Sequence, residues 1–109
     1  YPYVSAYCAA KHGVVGLTRA LAKEVATSGV TVNCICPGFT ETDLVAGSVD
    51  TIVAKTGRTP EAALAGLTAS MPIGRLIRPE EVAAAVLWLV SDAAASVTGI
   101  ALPVAGGEI

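Results

Sequence analysis

The stretch from Gly29 to Gly38 constrains the fold more than any other part of this chain. Val30-Thr31-Val32-Asn33-Cys34-Ile35-Cys36 is short and rich in β-branched residues, and Pro37-Gly38 follows it. That pattern reads as a buried strand over residues 30–36. A long helical pattern precedes it, stopped by Gly29. A long helix, a tight glycine and then a buried strand form the second half of a βαβ unit. Sheets of this kind bind ligands outside the carboxyl ends of their strands. Here that end is Pro37-Gly38-Phe39-Thr40-Glu41-Thr42.

The helix before the strand is expected over residues 5–28. Ala10, Val14, Leu17, Leu21 and Val25 recur at three- and four-residue spacing and form an apolar stripe for the core side. A second face carries Ala9, Gly13, Gly16 and Ala20. Glycine costs about 1 kcal/mol in a helix interior relative to alanine, so two on one stripe imply close approach of another backbone. A subunit contact is the preferred reading, because the apolar stripe already serves the core; packing within the same chain is the alternative.

After the strand the pattern is less regular. Two short helices are expected, over residues 43–56 and 60–70. Thr59 is placed as the cap of the second, with Pro60 and Glu61 in its first turn. A helical insert at a strand end, residues 41–72, is either a lid or an ordinary connection. Pro79-Glu80-Glu81 opens another helix running to about Ser91, with Val82, Val86, Leu89 and Val90 as its apolar face and Trp88 near the edge. The last strand is expected over residues 100–104. Pro103 cannot donate to a ladder, which puts this strand at a sheet edge or puts Pro103 at the strand's end.

Composition narrows the class. Of 109 residues, 53% are apolar and only 15% charged, against a usual charged share of about 25%. A chain this small has much surface to cover and should be more polar than average. Much of its surface is therefore expected to meet protein beyond these residues, as in a piece of a larger molecule that begins at Tyr1 without Met. Tyr1-Pro2-Tyr3-Val4-Ser5 lacks the pattern of a targeting segment. The longest apolar run, residues 82–90, is half of the roughly 18 residues needed to span a bilayer, and reads as a buried helix. A net charge of −2, with no basic cluster, argues against nucleic-acid binding. Cys8, Cys34 and Cys36 have no framework spacing and read as buried thiols of a cytoplasmic protein. With His12 the only histidine, a metal site lacks ligands.

Tyr7 and Lys11 lie four residues apart at the head of the first helix. At that spacing both side chains project from one face. A phenol beside a fixed ammonium suits proton donation, because a neighbouring positive charge favours the phenolate. The competing reading is a solvated surface pair.

Several landmarks now stand in order. They are Tyr7-Cys8-Ala9-Ala10-Lys11, then Val32-Asn33-Cys34-Ile35-Cys36-Pro37-Gly38, then Thr40-Glu41-Thr42. Pro79-Glu80-Glu81-Val82-Ala83 and Thr98-Gly99 with Gly106-Gly107 complete the set. Together they resemble the C-terminal part of a short-chain dehydrogenase/reductase, across nearly the whole chain. The resemblance implies an α/β fold, the C-terminal portion of a Rossmann-like doubly wound parallel sheet. It implies that Tyr7 is the catalytic acid/base and that Lys11 favours its phenolate and hydrogen-bonds the nicotinamide ribose. Pro37 and Gly38 would pass their backbone close to the nicotinamide of NAD or NADP, with Thr40 and Thr42 near its carboxamide and phosphates. Residues after Thr42 would cover the substrate. The family's glycine-rich phosphate loop and its catalytic Ser and Asn lie upstream and are not in this sequence. Ser5 is too close to Tyr7 to replace that Ser, and Ala105 stands where relatives often carry Asp.

The activity so implied is an NAD(P)-dependent oxidoreductase interconverting a secondary alcohol and a ketone, with the 109-residue chain inactive alone. Thr40-Glu41-Thr42-Asp43-Leu44 with Val104-Ala105-Gly106-Gly107-Glu108 is most similar to 3-hydroxyacyl-CoA dehydrogenases, and next to 3-oxoacyl carrier-protein reductases. The expected partners are a small carbonyl or alcohol substrate such as an acyl-CoA and, for a full-length enzyme, further copies of itself. No nucleic acid or membrane is expected. Lys55, Arg58, Arg75 and Arg78 either meet CoA or carrier phosphates or are solvated, the second being preferred because each is isolated. A non-catalytic interaction module is the rival from another class.

Overall fold

The computed structural model describes residues 4–108; Tyr1, Pro2 and Tyr3 of the opening segment lie outside the described residues, as does Ile109. The elements, in order, are α1 (Ser5–Glu24), β1 (Cys34–Pro37), α2 (Asp43–Thr56), α3 (Pro60–Thr68), α4 (Pro79–Leu89), a 3₁₀ turn (Asp92–Ala94) and β2 (Ala101–Val104). β1 and β2 form a two-stranded sheet. Cys34 N–H donates to Ile100 O at 3.0 Å and Gly38 N–H to Val104 O at 3.1 Å, so the register advances in the same direction on both strands and the pair is parallel. The connection between them is helical, as a parallel crossover requires.

The chain divides into two compact units. One comprises the described residues up to Ile35 with Val86–Leu102, the other Cys36–Ala85 with the described residues from Pro103 onward.

In the first unit, α1 ends at Glu24 rather than Ser28, and residues 25–29 turn. Its buried face is not the expected stripe. Thr18 and Ala22 are buried, and Cys8, Val15 and Val25 half-buried, while Val14, Leu17 and Leu21 are 49%, 64% and 37% exposed. Ala22 packs on the turn at Gly99, where an added Cβ would lie 3.4 Å from the Ala22 Cβ, an ordinary contact, while the large side chains of the stripe stay largely uncovered among the described residues. Thr18 tolerates burial because its hydroxyl donates to Val14 O at 2.8 Å. Gly13 and Gly16 have nothing within 4 Å of a built Cβ, so their face is open among the described residues.

The strand is also shorter than residues 30–36. Val30 is exposed, and residues 31–33 lie outside the ladder. Side chains share the hydrogen bonds there: Val32 N–H donates to Thr98 Oγ1 at 3.0 Å and the Asn33 amide donates to Val97 O at 2.8 Å, while Val32 O accepts from Gly99 N–H at 2.7 Å. Val86, Leu87, Trp88 and Val90 are exposed and only Leu89 of that run is fully buried, so the apolar stretch expected to make a buried helix is only partly covered among the described residues.

The second unit follows the sequence closely. α2 spans the expected residues and ends on Gly57, which takes φ +68°, a left-handed cap that favours glycine. Thr59 caps α3, accepting from Ala62 N–H at 3.2 Å. α2 and α3 pack on each other. Met71, Ile77 and Ala105 are buried. Gly106, at φ +60°, abuts Ile73 so closely that a Cβ there would collide with the Ile73 side chain.

Candidate functional site

Helix α1 holds Tyr7 and Lys11 one turn apart, and the structure brings them together. Lys11 Nζ stands 5.3 Å from the Tyr7 ring centroid, over the face of the ring. An ammonium over a phenol ring is a cation–π contact of roughly 0.5–1 kcal/mol at an exposed site. Tyr7 is 64% exposed, so its hydroxyl is open to a reactant. Neighbouring His12 is occupied differently: its Nδ1 lies 2.8 Å from Cys8 O.

Pro37, the last residue of β1, forms a second group with Gly38, Thr40 and Thr42 beyond it. Gly38 is held at both of its peptide groups. Its N–H donates to Val104 O, and its carbonyl accepts from Thr40 Oγ1 at 2.9 Å. A Cβ on Gly38 would lie 3.0 Å from the Ala105 Cα, so the bend depends on glycine at one position and a small residue at the other. Thr42 Oγ1 donates to Thr40 O at 3.3 Å. Both threonine hydroxyls thus give their proton to the main chain and keep their lone pairs free as acceptors. Pro37 is exposed at the strand end. Thr42 is the N-cap residue of α2, yet its side chain caps nothing. A helix start without a side-chain cap suits an acceptor such as a phosphate oxygen.

Between α2 and α3 lies an open cleft of about 330 Å³. Val45, Ala46, Val49, Leu64 and Leu76 make its apolar lining, and Glu41, Asp50 and Glu61 stand on it as carboxylates. No Lys or Arg lines it. Of the four cations weighed as phosphate contacts, Arg75 is committed elsewhere. It makes two 2.8 Å hydrogen bonds to Glu81, one to each carboxylate oxygen. Glu81 also accepts from Arg78 N–H at 2.8 Å, and Arg78 Nη2 stands 3.6 Å from it. The Arg75 guanidinium, then the Arg78 N–H, hold the Glu81 carboxyl down at about 2, and Glu81 in turn raises the Arg75 pKa.

The sequence reading missed this pair and the Asn33 clamp. Signals for both were present. Glu81 is the third residue of α4 and Arg78 the residue before it, the spacing of a capping box. Asn33 is an amide within a β-branched run, where a half-buried polar group must find partners. Among the described residues no group of three or more His, Cys, Asp or Glu side chains is arranged to hold a metal ion, and no helix is long and apolar enough to cross a membrane.

Comparison with known proteins gives a consistent result. The family model described as enoyl-(acyl carrier protein) reductase matches residues 1–108. The cis-4-hydroxycyclohexanecarboxylate dehydrogenase of Sinomonas cyclohexanicum is 48% identical over 103 residues, 94% of this chain and 37% of that protein. The 3-oxoacyl-[acyl-carrier-protein] reductase FabG of Pseudomonas aeruginosa is 46% identical over 101 residues, 93% of this chain and 36% of that protein. A solved structure of a variant actinorhodin polyketide ketoreductase with NADPH superposes with a TM-score of 0.88 at 43% identity, covering 98% of this chain and 41% of that one. The chain belongs to the short-chain dehydrogenase/reductase family, and its helices and parallel strands are part of that family's Rossmann-like fold. It spans about 40% of the length of the curated relatives it matches.

Proposed function

We propose that this chain carries the acid/base pair and the substrate-side helices of an NADPH-dependent reductase that converts a 3-oxoacyl thioester to its 3-hydroxy form. The observation that carries the reading is Lys11 standing over the Tyr7 ring at the head of α1, in a member of this family. The nicotinamide supplies the hydride to the carbonyl carbon when it is bound. The chain's own residues handle the oxygen. Tyr7 O–H gives its proton to the carbonyl oxygen as that oxygen gains charge, and Lys11 stabilises the phenolate left behind. Pro37 and Gly38 offer a backbone fixed by the Val104 and Thr40 contacts for the nicotinamide to lie against. Thr40 and Thr42 present acceptor oxygens, and the uncapped start of α2 suits a phosphate. Helices α2 and α3 form a lid whose apolar cleft receives the acyl part.

The 3-oxoacyl and ketoreductase relatives favour a carrier-bound thioester over the CoA thioester as the physiological substrate, and the NADPH-bound neighbour favours NADPH over NADH. The reading places this sequence within a longer enzyme, whose remaining residues complete the dinucleotide site. The test is reduction of an acetoacetyl thioester by the complete enzyme, followed through NADPH consumption. Tyr7→Phe should lower kcat by roughly 10²–10⁴-fold. Failure to reduce any ketone, or a Tyr7→Phe enzyme within a few-fold of the parent, would overturn the reading.

A further inference from the structure

The loop that carries Thr40 and Thr42 has little regular structure of its own. Beyond Gly38 its main chain is registered to Ile77, through an isolated parallel bridge with Thr40. Ile77 N–H donates to Phe39 O at 2.9 Å, and Glu41 N–H donates to Ile77 O at 2.8 Å. Ile77 is 2% exposed, so these bonds lie away from solvent. On either side of Ile77 stand Arg75 and Arg78, both tied to Glu81 at the start of α4. Arg75 Nη1 also donates to Leu76 O at 3.0 Å, which braces the strip from within.

An exposed ion pair adds little to stability, because solvent and salt screen it and ordering two long side chains costs entropy. A two-pronged guanidinium–carboxylate contact does fix geometry. The Arg75–Glu81 pair, with its side chains 44% and 28% exposed, therefore suits a role in placement better than one in holding the fold together.

We infer that Arg75 and Glu81 are positioning residues: their two-pronged contact fixes the Ile77 strip, the strip registers Thr40, and Thr40 sets where both threonine hydroxyls stand toward the cofactor. The inference rests on the reading of Thr40 and Thr42 as cofactor-side residues. Its range is local, since every group named lies between Gly38 and Glu81.

The test uses the complete enzyme with Arg75→Gln, Arg75→Lys, Thr40→Val and the double variant Arg75→Gln/Thr40→Val. Arg75→Gln should speed hydrogen exchange at the Ile77 and Glu41 amides. It should also weaken NADPH binding by about tenfold to 100-fold, the scale of a misplacement near 1 Å. Arg75→Lys keeps the charge and loses the fork, so it should fall between, and it serves as the readout if Arg75→Gln does not fold. In the Thr40→Val background, Arg75→Gln should weaken NADPH binding much less, because the two act through one element. Unchanged exchange at Ile77 and Glu41 would overturn the inference, as would equal effects of Arg75→Gln in both backgrounds. If exchange quickens but Thr40→Val alone leaves NADPH binding intact, the cofactor reading of the loop is the part at fault, and the functional role of the pair falls with it.

Discussion

Asn33 Oδ1 accepts the Ile100 N–H at 3.2 Å, while the next residue, Cys34, donates its own N–H to Ile100 O at 3.0 Å. Both main-chain polar groups of Ile100 are thus taken by consecutive residues, Asn33 just before β1 and Cys34 at its start. The Asn33 amide nitrogen takes Val97 O as well. Asn33→Leu would leave the Ile100 N–H and the Val97 carbonyl without these partners and should destabilise the chain by about 1–3 kcal/mol. Urea denaturation gives the number. Asn33→Asp keeps the acceptor and loses only the donor, and should fall between Asn33→Leu and the parent.

Glu81 gives the molecule an acid-sensitive contact. Its carboxyl is held at about 2, below its ordinary 4.5, chiefly by the Arg75 hydrogen bonds. The folded state therefore binds this proton less readily than the unfolded state. The stabilisation is fully present above pH 4.5 and is lost as pH falls towards 2. Thermal unfolding of Glu81→Gln across this range should show a slightly shallower loss on acidification than the parent, with a midpoint at neutral pH only slightly lower because the pair is exposed. Parallel curves would argue that the pair does not persist in solution.

The glycines should separate by sign. Gly38→Ala would press a methyl against Ala105, at 3.0 Å from its Cα and 3.2 Å from its Cβ, and should cost about 1–3 kcal/mol. Gly13→Ala meets nothing within 4 Å on a helix interior, and in the 109-residue chain should stabilise by about 0.5–1 kcal/mol. Denaturant midpoints of the two variants should move in opposite directions.

Helix α3 starts on one capping bond, from Ala62 N–H to Thr59 Oγ1. Thr59→Ala should cost about 1 kcal/mol. Hydrogen exchange should localise the loss to the first turn of α3, because α2 ends on its own left-handed glycine cap.

Where local chemistry decides structure, the chain could be read directly. Gly57, Thr59, Pro60 and Glu61 set the ends of α2 and α3, and the spacing of Tyr7 and Lys11 put both on one side of α1. The reading failed where a neighbour decides. Leu17 and Leu21 have the periodicity of a core stripe, yet among the described residues the helix docks through Thr18 and Ala22 and the stripe is left largely uncovered. Val30 has strand propensity but lies outside the ladder, which begins only at Cys34 after Val32 is tied to Thr98 and Gly99. The Arg75–Glu81 contact spans a turn, and residue spacing alone does not show which of the nearby cations the carboxylate selects.

The outward ridge of Val14, Leu17 and Leu21 on α1, with Leu87 and Val90 near the end of α4, has a cellular consequence. Chaperones and quality-control proteases select clients by such unshielded greasy surface. Synthesised apart from whatever normally covers that ridge, this stretch of polypeptide should have a short lifetime, and coexpressing the covering partner should lengthen it.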